Sequence, residues 1–142
     1  MKKALYIIIP LFIIAISSFF IFNNNNNNNN NISNTKWKLT GWSINSISTD
    51  VSNITLEIND DNTISGNGGV NNYSASYTIG FGNKFSIGDI KSTLIASLNN
   101  IINEAESNYF TLLKEVSYYE LKDNELILLD SGKNQILIFN KQ

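Results

Sequence analysis

The chain has 142 residues and a formal net charge of −2; it contains no histidine and no cysteine, and all ten of its basic residues are lysines. This composition excludes catalytic units and metal sites built on imidazole or thiolate, disulfides, and bidentate arginine clamps for phosphate. A mildly acidic chain without a basic cluster also gives no electrostatic basis for nucleic-acid binding, and any catalysis would depend on carboxylates, lysines, tyrosines or hydroxyls.

The N-terminal 22 residues carry two lysines followed by an apolar run from Ala4 to Phe22. As a helix this run would span about 28 Å, close to the hydrocarbon thickness of a bilayer. Its length favours an uncleaved membrane anchor, with a secretory signal peptide ending near Ala15–Ser17 and a buried core helix as the alternatives. Both membrane interpretations predict a cell-envelope protein whose remainder is extracytoplasmic, whether membrane-anchored, periplasmic or secreted.

An asparagine-rich stretch follows at residues 23–34, and Asn23–Asn31 is an unbroken run of asparagines. A low-complexity polar run has no apolar face to bury, so it cannot join a core. We interpret it as a flexible spacer rather than an aggregation-prone tract. The predicted organisation is an anchor or signal peptide at residues 1–22, a linker at 23–34 and a domain at 35–142.

From Thr35 onward, alternating apolar and polar residues predict about eight short strands. The segments are WKLTGW, NITLEIND, TISG, YSASYTI, KFSIGDI, SYYEL, ELILLD and QILIFN. Asp60, Asp61 and Asn62 form a turn between two of them, because their side chains bond to nearby backbone. The nearly continuous apolar runs at 126–129 and 136–139 are typical of central strands that are buried on both faces.

The hydrophobic period changes once, where apolar residues at spacings of 3, 4, 3 and 4 predict an amphipathic helix over Glu104–Glu115. The stripe consists of Ile102, Ala105, Tyr109, Leu112 and Val116. Asn103 and Glu106 resemble a capping box, which makes Glu106 a first-turn residue. The expected fold class is therefore mainly β (α+β), a small antiparallel barrel-like or strongly curved sheet with one packed helix.

The glycine-rich segment SGNGGVNNYSASY, Ser65–Tyr77, is the first candidate for a ligand-binding loop. It lacks the Lys-Ser/Thr and following helix of a phosphate loop, and Asn71 occupies the place of the third glycine of a dinucleotide loop. Glycines also serve bulges and barrel corners, where a backbone approaches closely, and asparagines can bond to the backbone beside such a bend. We therefore predict a structural bend and no cofactor site.

Other pieces of the chain carry a family resemblance when they are taken together with this segment. They are the opening Trp37-x-Leu39, the segment STLIAS at Ser92–Ser97, the helix ending FTLLKEV, the stretch YYELKDNELILLD and the final ILIF. In this order and spacing the chain resembles the META domain, the HslJ-like family of bacterial envelope proteins. Val70 and Ser97 stand where the family often has cysteines, which implies that these two positions are neighbours in the fold.

The resemblance implies a compact, mostly β, barrel-like domain that is usually secreted, periplasmic or lipid-anchored. The family's namesake is linked to heat shock and antibiotic tolerance, and the resemblance supplies no catalytic residue. It marks a set of positions as structural motif residues only. They are Gly66, Gly68, Gly69, Asn71, Tyr73, Tyr77, Ser92 and Thr93.

Three functional hypotheses follow from the sequence. The preferred one is a non-enzymatic envelope module, tethered or secreted, that interacts with an envelope protein or component and has a role related to envelope stress. The second is a barrel that binds a small apolar ligand, with Trp42 as the candidate ligand-facing residue. The third is a carboxylate-dependent enzyme, which needs two converging acidic residues. No metal site is predicted, because the acidic turn at 60–62 lacks the spacing of a calcium loop.

Overall fold

A computed structural model describes residues 31–142. The predicted anchor or signal peptide at 1–22 and the linker residues 23–30 lie outside the described residues. Within residues 31–142, no helix combines the length and the apolar character needed to cross a bilayer.

The described residues form nine strands, a 3-10 turn at Thr49–Val51 and one α-helix. In chain order the strands and the helix are β1 Thr35–Trp42, β2 Thr55–Ile58, β3 Thr63–Asn67, β4 Asn72–Gly80, β5 Lys84–Ile87, β6 Lys91–Ser92, α1 Asn100–Glu115, β7 Tyr118–Lys122, β8 Glu125–Leu129 and β9 Gln135–Lys141.

The sheet closes into a ring. Its order is β3-β2-β1-β9-β8-β7-β5-β4, all neighbours are antiparallel, and β4 pairs with β3 to complete the circuit. The short strand β6 joins β4 beside β5, where Tyr73 lies opposite Ser92. The predicted mainly β, barrel-like fold with a packed helix is confirmed, and closure removes the open edges that a flat sheet would expose.

Large side chains fill the interior of the ring. Trp37, Phe85, Tyr109 and Phe139 are at most 1% exposed. Helix α1 inserts Tyr109 between two strands: its ring centroid lies 5.6 Å from that of Tyr73 in β4 and 6.4 Å from that of Phe139 in β9. The predicted buried run in β8 is confirmed, since residues 126–129 are all buried.

Helix α1 begins four residues earlier than the sequence predicts. Its N-cap is Asn99, whose side chain accepts a hydrogen bond from the Ile101 backbone N–H at 3.0 Å. The predicted capping box of Asn103 and Glu106 is wrong, because Asn103 bonds instead to the backbone of Ser97. Glu106 is therefore a second-turn residue, and it is buried.

The barrel has two ends that carry different parts of the chain. We call one end the base: here the chain enters β1 at Thr35, opposite Ile58, and the Gln142 N–H donates to the Lys36 carbonyl at 2.9 Å. The hairpin tips at 59–62, 80–83 and 122–125 also lie at the base. The opposite end, the helix end, carries the 68–71 loop, the segment 93–99 and the start of α1.

Candidate functional site

The buried carboxylate of Glu106 lies at the helix end of the barrel. Its Oε1 accepts hydrogen bonds from the backbone N–H of Val70 at 3.1 Å and of Asn71 at 2.6 Å, and its Oε2 accepts from the Asn71 Nδ2 at 2.7 Å. Three donors thus satisfy a side chain that is only 8% exposed. Since a buried charge needs such partners, Glu106 fastens the glycine-rich loop to α1.

Asn71 extends this network to a second loop. Its Oδ1 accepts from the Thr93 Oγ1 at 2.7 Å and from the Ile95 N–H at 2.8 Å, and its Nδ2 also donates to the Ile95 carbonyl at 2.9 Å. Every polar atom of the Asn71 side chain therefore has a partner. The two loops and α1 are held as one unit by the pair Asn71 and Glu106.

A second asparagine continues the attachment along the same loop. The Asn103 side chain accepts from the Ser97 N–H and donates to the Ser97 carbonyl, both at 2.8 Å. Backbone groups at residues 95 and 97 are thus directed inward at alternate positions. The segment from Thr93 to Asn99, which we call the pinned loop, has its backbone fixed by two amides.

Apolar side chains at and beside these fixed positions face solvent. Leu94 is 97% exposed and Leu98 is 105% exposed, and Ile95 and Ile101 are more than half exposed. We call these four residues the apolar patch. No charged residue occurs between Lys91 and Glu104. A groove of about 440 Å³ lies beside the patch, lined among others by Ile95, Ala96 and Phe110.

The two family cysteine positions both lie against α1. Val70 is bonded through its N–H to Glu106, and Ser97 is bonded to Asn103, which is three residues earlier on the same helix. The two positions are thus attached to α1 about one helical turn apart.

Two of the motif glycines lie where a side chain has no room. A Cβ on Gly66 would lie 2.1 Å from the Thr55 carbonyl oxygen, and one on Gly68 would lie 2.7 Å from the Phe110 ring and 2.8 Å from the Glu106 Oε1. Gly69 has a φ of +124°, which side chains rarely adopt. These residues allow the loop to approach β2 and α1 closely.

The motif tyrosines belong to the core. The Tyr73 hydroxyl donates to the Thr55 carbonyl at 2.9 Å and lies 2.6 Å from the Tyr109 hydroxyl. Burial raises the pKa of both phenols well above the usual value. Tyr77 donates to the Asn59 carbonyl at 2.8 Å near the base of the barrel.

The remaining predicted residues lie at different places. Ser92 is exposed on β6 and Thr93 begins the pinned loop. Trp42 is half-buried at the end of β1, packs on the core and donates through its indole N–H to the Ile47 carbonyl at 2.8 Å. Among residues 31–142, no three acidic side chains come together as they would to hold a metal ion.

Sequence reasoning missed the central residue of this network. The sequence pattern assigns Glu106 to a capping box, since nothing local distinguishes a buried glutamate from a solvated one in the first turns of a helix. The available signal was the polar Glu106 next to the apolar stripe residue Ala105, which places a carboxylate at the edge of the buried face. The outward-facing Leu94 and Leu98 gave no periodic signal.

Comparisons with known proteins agree with this architecture. The profile of the META domain family matches residues 30–142. A protein from Burkholderia xenovorans, whose structure was determined by NMR, aligns with a TM-score of 0.64 at 22% sequence identity over 78% of this chain and 83% of that one.

Another NMR structure of a protein aligns with a TM-score of 0.58 at 19% identity, over 76% of this chain and 89% of that one. At these identities the likeness concerns the fold. No curated protein matches the chain.

Proposed function

This chain belongs to the META domain family, and we propose that it is a non-enzymatic, extracytoplasmic binding domain that is held at the membrane by its N-terminal segment. We propose further that the apolar patch at the helix end is the surface on which it holds another envelope protein. The observation that carries this proposal is the exposure of Leu94 and Leu98 on the pinned loop.

The pinned loop is built in a way that suits recognition. A free loop would fold its leucines back onto the protein, because exposed apolar surface is unfavourable. Here the bonds from Asn71 and Asn103 fix the backbone at residues 95 and 97, so the leucines remain in water. Such preorganisation lowers the entropic cost of binding, and apolar patches of this kind are typical of interaction sites.

The chemistry of the buried carboxylate supports a non-enzymatic role. Both oxygens of Glu106 are occupied by hydrogen bonds from the loop that they hold. Three of the roughly four lone-pair sites of this carboxylate accept from the loop, two at Oε1 and one at Oε2, so its main contacts are structural. Glu106 has the geometry of a structural fastener.

The filled interior of the barrel supports binding at the surface. A small apolar ligand held inside the barrel would need an internal cavity of about 300 Å³ or more. The core positions of this ring hold Trp37, Phe85 and Phe139, each at most 1% exposed. An apolar partner would therefore meet the outside of the domain at the patch.

The proposed location is tested by a single cysteine, since the natural chain contains none. Thr111→Cys places a thiol on the exposed side of α1. We expect a membrane-impermeant maleimide to label this variant in intact cells. Labelling that occurs only after lysis would contradict an extracytoplasmic location. N-terminal sequencing of the native protein separates a retained anchor from a cleaved signal peptide.

The proposed surface is tested by crosslinking from the same kind of variant. A benzophenone attached to Leu98→Cys should give a discrete crosslinked species in native membranes, while the same probe on Thr111→Cys should not. Adding Leu94→Asp to the Leu98→Cys chain should remove the crosslink, because a carboxylate in the patch resists desolvation. Equal crosslinking from both sites would argue against a specific surface.

A role in envelope stress follows from the family resemblance and is part of the proposal. If the patch carries it, a deletion strain complemented with the Leu94→Asp, Leu98→Asp chain should survive heat or antibiotic treatment as poorly as the uncomplemented strain. Full rescue by this variant would separate the stress role from the patch.

A further inference from the structure

We propose that the tip of the β4–β5 hairpin, with Phe81 at its apex, rests in the lipid interface of the membrane that holds the chain. This contact would orient the barrel with its base toward the bilayer and its helix end outward. The inference rests on the proposed function in one respect, which is that the N-terminal anchor is retained.

The hairpin tip exposes apolar surface that the fold does not use. Phe81 is 99% exposed and Ile79 is 46% exposed. The turn is shaped by positive φ angles at Gly82 (+71°) and Asn83 (+59°), so the ring is held away from the barrel. An exposed aromatic at a projecting tip is typical of residues that sit at the level of lipid headgroups.

The charge around the tip suits a membrane interface. No charged residue occurs from Asn72 to Asn83, and the next residue is Lys84, which is exposed. Within residues 72–83 no carboxylate is desolvated when the tip meets lipid. On the neighbouring strand β7, Glu120 follows Tyr119, whose N–H donates to the Asn83 carbonyl at 3.0 Å, and its exposed carboxylate would have to remain in water. A lysine at the edge of an apolar insertion can extend its amine to the headgroups.

The tip lies at the end of the barrel where the N-terminal segment arrives. Ser33 Oγ lies 3.3 Å from the hydroxyl of Tyr77. Tyr77 is on β4, four residues before Phe81. Ile32 is fully buried, so the domain begins to hold the chain there. The eight residues between Phe22 and Asn31 can span at most about 28 Å, which keeps the base close to the end of the apolar run.

This short connection argues against lipid contact at the opposite end. Strand β1 runs away from the base for eight residues, or about 26 Å along its length. To bring the apolar patch to the bilayer, residues 23–30 would have to extend almost fully along the barrel wall. The patch is therefore better placed to meet a protein, and Phe81 to meet lipid.

A small apolar contact is sufficient to hold the hairpin tip at the bilayer, because the chain is already tethered there. A tethered tip meets the bilayer at a high effective concentration, so it needs little affinity of its own. The neighbouring tips carry Asp60 and Asp61 at 59–62, and Lys122, Asp123 and Glu125 at 122–125, and would remain in water. We therefore expect the barrel to tilt so that the β4–β5 hairpin alone enters the interface.

The test uses the full chain reconstituted in vesicles of phosphatidylcholine and phosphatidylglycerol. A nitrobenzoxadiazole label on Ile79→Cys reports the environment beside Phe81 without replacing it, and the same label on Leu98→Cys reports the helix end. We expect a blue-shifted emission at 79 and several-fold stronger quenching by nitroxide lipids at 79 than at 98. Adding Phe81→Ser to the Ile79→Cys chain should return the emission toward that in water.

The outcomes separate this inference from the proposed function. If alkaline carbonate releases the chain from the vesicles, the anchor fails and the orientation fails with it. Suppose instead that the chain stays in the membrane. If the emission of the label at 79 remains as in water, or if nitroxide lipids quench the label at 98 more strongly than the one at 79, only the orientation is overturned. A blue shift without lipid quenching would indicate contact with a second copy and would also overturn it.

Discussion

Glu106 of α1 and Asn71 of the β3–β4 loop are joined by two hydrogen bonds, at 2.6 Å to the Asn71 backbone N–H and at 2.7 Å to its side-chain amide. The two residues are 35 positions apart in sequence. Through them the glycine-rich loop, the pinned loop and the helix form one unit.

Glu106→Gln should destabilise the domain by about 2 kcal/mol, since it removes a charge-assisted acceptor and places an NH₂ group against the Asn71 amide. Glu104→Gln on the exposed side of the same helix is the matched control and should change little. Urea unfolding followed by circular dichroism measures both. Equal effects of the two changes would mean that the buried bonds contribute no net stability.

Gly66→Ala should cost about 3 kcal/mol or more, because the added methyl would lie 2.1 Å from a backbone carbonyl that cannot move aside. Gly41→Ala is the control within a strand, since its Cβ would meet Ile138 at an ordinary 3.4 Å. Gly68→Val should also lower the free energy of unfolding. A Gly68→Val chain as stable as the parent that had lost partner binding would contradict the structural role of this loop.

Removing either hydroxyl of the buried tyrosine pair should have unequal effects. Tyr109→Phe leaves the Tyr73 hydroxyl with its acceptor at Thr55 and should cost about 1 kcal/mol. Tyr73→Phe removes two hydrogen bonds and leaves the buried Tyr109 hydroxyl without this neighbour, so we expect about 2 kcal/mol. Thermal and urea unfolding of the two variants give the comparison.

The same pair predicts loss of stability at high pH. Burial raises the pKa of Tyr73 and Tyr109 in the folded domain, whereas an unfolded tyrosine ionises near pH 10. Above that pH the unfolded chain loses protons that the folded chain keeps, so stability is complete below about pH 10 and falls as the pH rises beyond it. Unfolding free energies between about pH 8 and 11 should show this fall, and the double Phe variant should show less of it.

The apolar patch should contribute little to folding. Leu98→Ser is expected to change the unfolding free energy by less than about 0.5 kcal/mol, because the side chain touches little of the protein. Leu113→Ala, at a fully buried position, should cost about 2 to 5 kcal/mol. If Leu98→Ser were as damaging as Leu113→Ala, the leucine would be part of the core, and the proposed binding surface would lose its basis.

The strands and the family were predictable from local pattern. Alternation such as Tyr73, Ala75 and Tyr77 against serines marks one buried face, and the structure buries all three. The family assignment from the motif order is confirmed by the match over residues 30–142. A strand of two residues such as β6 is too short to show any period, so it could not be predicted.

The network at the helix end could not be predicted because its partners are distant in sequence. Three asparagines lie around the start of α1, at 99, 100 and 103, and each has the chemistry of a cap. The fold uses Asn99 for the cap and Asn103 to hold Ser97. Helical periodicity identifies a buried face but not which polar residue at its edge is covered. That choice depends on where the 68–71 loop packs in three dimensions.

The hydrogen bond from the Gln142 N–H to the Lys36 carbonyl places both ends of the domain side by side at the base. A domain whose N- and C-termini are adjacent can be inserted into a loop of another protein without disturbing its strands. Its termini can also be joined and new ones opened at an exposed turn, which is a circular permutation. The turn at 131–133 is exposed and lies at the far end of the barrel. We therefore expect the domain to tolerate insertion into another protein and circular permutation. Either change alters the connectivity of the strands and leaves their register intact.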